Sequence, residues 1–206
     1  MNLHNIELFR KIQKVSTVNK KTHTVDFLFV LFFREQYRIY LPHPSLGKEN
    51  YASTMSNWTY SCSHAIFQTA RIMNLNCTFE AKGKRDAVIS QLDKYGNVEI
   101  LLAIEWENNY KDIFGPGKEL EKLWKTSTNE KRPNAMLLTY VPSEELGSYA
   151  QEVIKYWQSN SESKFPAKLY LIMIELSKKT GVNLTKSIHT VEIEGSECFY
   201  WEELVM

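Results

Sequence analysis

The stretch from Phe79 to Asn108, FEAKGKRDAVISQLDKYGNVEILLAIEWEN, decides how the chain is read. Within it, Arg85 to Gln91 (RDAVISQ) and Val98 to Trp106 (VEILLAIEW) are rich in β-branched and apolar residues, and the DKYGN between them carries a Gly96-Asn97 turn signal. This pattern predicts an antiparallel hairpin. Its second strand is apolar on both faces from Ile100 to Ile104, as a central strand covered on each side would be. Residues two apart on a strand share a face, so Glu105 and Glu107 point one way and Trp106 the other. Pairing about Gly96 sets position 86 against position 106 to within a residue or two, which stands Asp86 beside Glu105 or Glu107.

Upstream of the hairpin, Trp58, Cys62, Ala65, Ile66, Thr69, Ala70 and Met73 recur at three- and four-residue spacing and predict an amphipathic helix, with Ser56 or Asn57 as its cap. Earlier still, VDFLFVLFF followed by REQYRIYLP is rich in Phe, Val, Ile and Tyr and predicts strands, stopped by Pro42 and Pro44. Downstream, Gly115-Pro116-Gly117 introduces KELEKLWKTS, where Leu120, Leu123 and Trp124 have helical spacing. Next come AMLLTYV as a strand, GSYAQEVIKYWQS as a helix with Tyr149, Val153, Ile154 and Trp157 on one stripe, and KLYLIMIEL as a strand. SIHTVEIEG and CFYWEEL add one or two edge strands. The order helix, hairpin, helix, strand, helix, strand predicts an α/β or α+β fold, with a central mixed sheet flanked by helices. With no repeat and no long linker, one domain over 1–206 is expected, its core layout at 58–176 and peripheral extensions at 1–57 and 177–206.

Composition narrows the class. The chain has 206 residues, 43% of them hydrophobic, and 25 Lys and Arg against 24 Asp and Glu, which argues for a foldable soluble protein rather than a disordered charged segment. The longest apolar run, Phe27 to Phe33, is seven residues where a membrane helix needs about 20, so no membrane association is expected. No signal-peptide pattern opens the chain, and its three cysteines form no C-x-x-C pair, so a cytoplasmic or other reducing compartment is expected. Charge is unevenly placed: Arg10, Lys11, Lys14, Lys20 and Lys21 face Glu7 alone near the start, whereas only acids follow His189. Such asymmetry lets an anionic partner meet one surface of a nearly neutral protein.

Three carboxylates at the end of an apolar hairpin repel one another unless a positive charge intervenes. A divalent metal does this economically, and hard oxygen ligands without Cys or His favour Mg²⁺, or Mn²⁺ in its place, over Zn²⁺. Such an ion suits phosphodiester hydrolysis, because it can hold a phosphate oxygen, acidify an attacking water and stabilise the leaving oxygen. Glu80 is a candidate fourth carboxylate. The alternative is that the acids lie in water at a sheet end, paired with Lys82, Lys84 or Arg85. Lys118, Lys122 and Lys125 recur at helical spacing and can form an exposed stripe contacting phosphates. Neither a P-loop nor an H-x-x-x-H or H-E-x-x-H pattern is present, which disfavours a P-loop nucleotidase and a zinc hydrolase. Trp58, Trp106, Trp124 and Trp157 are expected in the core.

Asp86, Glu105-Trp106-Glu107 and the elements around them resemble the PD-(D/E)XK nuclease superfamily, with an E-x-E variant motif as in a few restriction endonucleases. The resemblance implies a restriction-endonuclease-like core in which Asp86 fills the first acidic position, Glu105 the second, and Glu107 the place normally held by lysine. It implies a Mg²⁺-dependent deoxyribonuclease cutting DNA, in double-stranded form, to leave a 5′ phosphate. Asp86 and Glu105 would bind metal, Glu107 would bind metal or activate water, and Lys82, Lys84, Lys118 and Lys122 would contact phosphate. Lys82, Lys84 and Lys118 are also candidates for the missing lysine, and a homodimer would let two sites cut opposite strands. The alternatives are a noncatalytic nucleic-acid-binding protein on the same fold, or a protein-interaction module docking through Phe199, Tyr200 and Trp201.

Overall fold

The hairpin forms as its turn chemistry directs. In the computed structural model, which describes residues 24–40, 55–81, 85–125, 133–160, 168–179 and 182–205, β2 (Arg85–Leu92) and β3 (Val98–Glu107) pair antiparallel. Asp93 Oδ1 accepts from the backbone N–H groups of Tyr95 and Asn97, and Gly96 takes the left-handed φ of +83° that closes the turn. A strand absent from the sequence expectation, β1 (Asn76–Ala81), pairs antiparallel with β2 and forms the edge.

From β3 the sheet extends through β4 (Asn134–Pro142) and β5 (Leu169–Lys179), both parallel to it, and β6 (Val182–Glu194), antiparallel to β5. The last two strands, β7 (Glu197–Tyr200) and β8 (Leu204–Val205), both pair with β6. The C-terminal segments thus contribute one interior strand and a divided outer edge. The result is an α+β fold with a central mixed sheet flanked by helices.

Both parallel connections cross one face. Helix α3 (Glu119–Lys125), preceded by a 3-10 turn at Tyr110–Ile113, joins β3 to β4, and α4 (Leu146–Asn160) joins β4 to β5. Because the strands advance in one direction, both crossovers fall on the same side. There Leu120, Leu123, Val153 and Trp157 pack against Ala103, Leu137 and Leu171. The other face is covered by α1 (Val25–Tyr40) and α2 (Met55–Ile72).

Helix α1 corrects the expectation of strands at VDFLFVLFF and REQYRIYLP. Its buried residues Asp26, Phe29, Val30, Phe33, Arg34 and Tyr37 follow helical spacing, while Leu31 and Phe32 face outward. The β-propensity of Phe and Val is a weak prior that packing of this stripe on α2 and the sheet overrides. Asp26 anchors the start of the helix, accepting from Asn134 Nδ2 and Tyr170 Oη at 2.7 Å each. Pro42 and Pro44 lie outside the described residues, as do Lys82 and Lys84. No described helix is long and apolar enough to cross a membrane.

Candidate functional site

Strand pairing brings the first two acids together. Ala87 sits opposite Ile104, which puts Asp86 at the level of Glu105 and Trp106. The Trp106 backbone N–H donates to Asp86 Oδ2 at 2.8 Å. Ala87 and Ile104 belong to the core under α1 and α2, so by alternation Asp86 and Glu105 project from the opposite face, beneath α3.

Glu105 does not lie in water at a sheet end: it is 0% exposed. Neither of its oxygens has a hydrogen-bond partner among the described residues. Burial, followed by the neighbouring Asp86 charge, pushes its carboxyl up to about 8, against the pull of Lys122. Asp86 is also raised, first by burial, while the Trp106 N–H and Lys122 oppose the shift.

Helix α3 supplies two groups the sequence placed elsewhere or missed. Lys122 Nζ lies 3.0 Å from Glu119 Oε1 and 3.6 Å from Glu105 Oε2. Instead of standing in an exposed lysine stripe it turns inward, while Lys118 and Lys125 are exposed and Lys125 pairs with Glu121 at 2.7 Å. Burial alone would lower the Lys122 ammonium, but Glu119, Glu105 and Asp86 hold it above its ordinary value. Glu119 is only 9% exposed, and its Oε2 has no partner among the described residues. The sequence shows that Glu119 and Lys122, three apart on one helix, can pair, but their approach to Glu105 arises only when the Leu120 and Leu123 face packs on the sheet. Arg85, half-buried, adds a positive field at Glu105.

Glu107 stands farther out. Its Oε1 accepts from the Asn109 backbone N–H at 2.9 Å, and it borders a cleft of about 420 Å³ with Asp86, Glu80, Trp106 and Asn108. Glu80 is exposed, with a left-handed φ of +49° that is uncommon for a residue with a side chain.

A second polar cluster lies on the same sheet face, between β5 and β6. Glu175, His189 and Glu203 bring ligand atoms within 4.8 Å of one another, and this set, buried but for Glu203, can coordinate a divalent metal. Its existing bonds are many. Glu175 accepts from Ser143 at 2.7 Å, Lys186 at 2.9 Å and Ser187 at 2.5 Å, and lies 3.0 Å from His189 Nε2. His189 Nδ1 meets the Tyr200 hydroxyl. Burial would raise the Glu175 carboxyl, yet these bonds hold it well below the usual carboxylate range. No histidine motif marked this cluster, because Glu175 and His189 meet through the pairing of β5 with β6 and Glu203 comes from the segment between β7 and β8.

Trp201 packs on Phe27 at 4.7 Å and on Tyr170 at 5.9 Å, and Tyr200 is buried, so much of the aromatic segment offered as a docking surface is used within the fold. No protein-family model and no curated protein matches the chain.

Proposed function

We propose that the protein is a Mg²⁺-dependent endonuclease that hydrolyses DNA phosphodiester bonds at Asp86 and Glu105, on a restriction-endonuclease-like core. The carrying observation is Glu105, a fully buried carboxylate whose oxygens have no hydrogen-bond partner among the described residues and which faces a second carboxylate. A buried charge opposed by a second carboxylate and offset only by Lys122 at 3.6 Å is expensive, and protonation or a bound cation relieves it. Asp86, Glu105 and Glu119 offer oxygen donors of the kind Mg²⁺ or Mn²⁺ takes, although among the described residues only Glu175, His189 and Glu203 gather three ligand atoms within 4.8 Å, so a cation at the hairpin would have to draw these acids closer. The order α2, β1–β2–β3, α3, β4, α4, β5 supports this reading, with β1 as a strand added ahead of the expected hairpin.

When bound, the metal would polarise a phosphate oxygen and acidify a water. The chain's own groups divide the remaining work. Asp86, oriented by the Trp106 N–H, and Glu105 present oxygens from adjacent strands. Lys122 supplies from a helix the cation that the motif lacks at Glu107, and neutralises charge on the phosphate. Glu107, at the cleft, accepts a proton from the attacking water.

Strand cleavage of supercoiled and linear duplex DNA with Mg²⁺ or Mn²⁺ tests this, comparing wild type with the folded double variant Asp86→Ala, Glu105→Ala. Metal-dependent cutting confined to wild type is expected. Equal cutting by both would sink the assigned site, and no cutting by either would favour a protein that binds nucleic acid without hydrolysing it.

A further inference from the structure

The cleft beside Asp86 has two chemically distinct sides. Asp86, Glu80 and Glu107 supply carboxylates, while Trp58, Phe79 and Trp106 supply aromatic rings. Phe79, on the edge strand β1, is 38% exposed and meets Trp106 edge-on at 6.5 Å between ring centroids. Thr59, Ser63 and Asn108 add polar side chains to the lining. Trp58 is almost wholly buried, and its indole N–H has no acceptor among the described residues.

A volume of about 420 Å³ falls in the small-ligand range and is too small to enclose a duplex. The exposed Phe79 ring and the partly exposed Trp106, beside Asp86, suit a flat heterocycle, because every nucleobase has a π-face and stacks without regard to sequence. We propose that this cleft binds one unpaired nucleobase, so that the substrate is engaged as a single strand or with a nucleotide extruded from the helix. The proposal rests on the nuclease assignment only for the placement of the scissile phosphate at Asp86 and Glu105. Extruding a base costs least where it is already unpaired, so single strands and bulged duplexes should be preferred over fully paired DNA.

The test uses oligonucleotides carrying 2-aminopurine, as single strands, as a single-nucleotide bulge and as fully paired duplex, with Ca²⁺ for binding and Mg²⁺ for cleavage. Wild type should bind the unpaired forms at least tenfold more tightly, with the fluorophore quenched by stacking. Phe79→Leu keeps apolar bulk but removes the ring, and should weaken that binding by about 5- to 150-fold while leaving paired duplex unaffected. Phe79→Trp should restore it. Equal affinity for paired and unpaired DNA, or unchanged quenching in Phe79→Leu, would overturn the proposal even if Mg²⁺-dependent cutting is strong. Selective, Phe79-dependent binding without cutting would uphold the base site and defeat the nuclease assignment instead.

Discussion

A carboxylate in the position of Glu105 is under two opposed demands. Chemistry at a metal needs it ionised, whereas the folded chain without a metal holds its pKa up to about 8, chiefly through burial and then through Asp86. Between the unfolded value near 4.3 and about 8, the native state therefore binds a proton that the unfolded chain has lost. Stability must fall as pH rises across that window, and the raised Asp86 carboxyl acts in the same direction. Glu105→Gln removes the ionisation while keeping the shape. In metal-free urea unfolding, wild type should lose on the order of 1–3 kcal/mol relative to Glu105→Gln between pH 5.5 and 8.5; parallel pH profiles would show that Glu105 ionises as freely folded as unfolded. The same proton must leave when a cation arrives. Calorimetry of Mn²⁺ binding at pH 7, in buffers of differing ionisation enthalpy, should report release of about one proton, and no buffer dependence would count against Glu105 as a ligand.

Among the elements, β5 and β6 show the opposite solution to a buried acid. Glu175 is matched by Ser143, Ser187, Lys186 and His189, and its carboxyl is held below the usual range although burial pushes it upward. A depressed carboxylate contributes stability that is present above its unfolded pKa and is lost as pH falls toward its folded one. Glu175→Gln should therefore destabilise the protein at neutral pH by about 2–4 kcal/mol and flatten its loss of stability below pH 4, measured by urea unfolding. An unchanged acid limb would remove Glu175 as the linked group. Legibility from sequence divides along similar lines. The β2–β3 hairpin could be read because Asp93, Gly96 and Asn97 encode their turn locally, and that placed Asp86 beside Glu105. The strand-like composition of Val25 to Tyr40 misled because its helical stripe has meaning only against α2 and the sheet. Lys122 read as solvated because nothing within its own helix reveals that Glu105 lies beneath it, and the Glu175 cluster joins residues of β5, β6 and the segment between β7 and β8, which meet only in the folded sheet.

At the scale of the whole molecule, one sheet face carries both clusters. Pairing of β3, β4 and β5 sets Glu105 level with Leu171, so Glu175 lies two strands across and four residues along, roughly 16 Å away by strand spacing and rise. They are separate clusters, and were a divalent ion offered to both, their bonding states would predict which one holds it. A metal entering the Glu175 cluster must displace several hydroxyl and ammonium partners already in place, whereas at the hairpin both Glu105 oxygens and Glu119 Oε2 have no hydrogen-bond partner among the described residues, and the cation to be displaced is Lys122, held by Glu119 Oε1 and Glu105. A ligand that binds only the native state stabilises it by about 2.7 kcal/mol at one hundred times its dissociation constant, which for a chain of this size corresponds to a rise in melting temperature of about 5–10 °C. Saturating Mn²⁺ should produce that rise in wild type and in His189→Gln, which leaves the Asp86 and Glu105 pair intact, but not in Glu105→Gln. If instead His189→Gln abolishes the shift and Glu105→Gln retains it, the ion belongs between β5 and β6, and the hairpin acids must be kept neutral by protonation and Lys122 rather than by a metal.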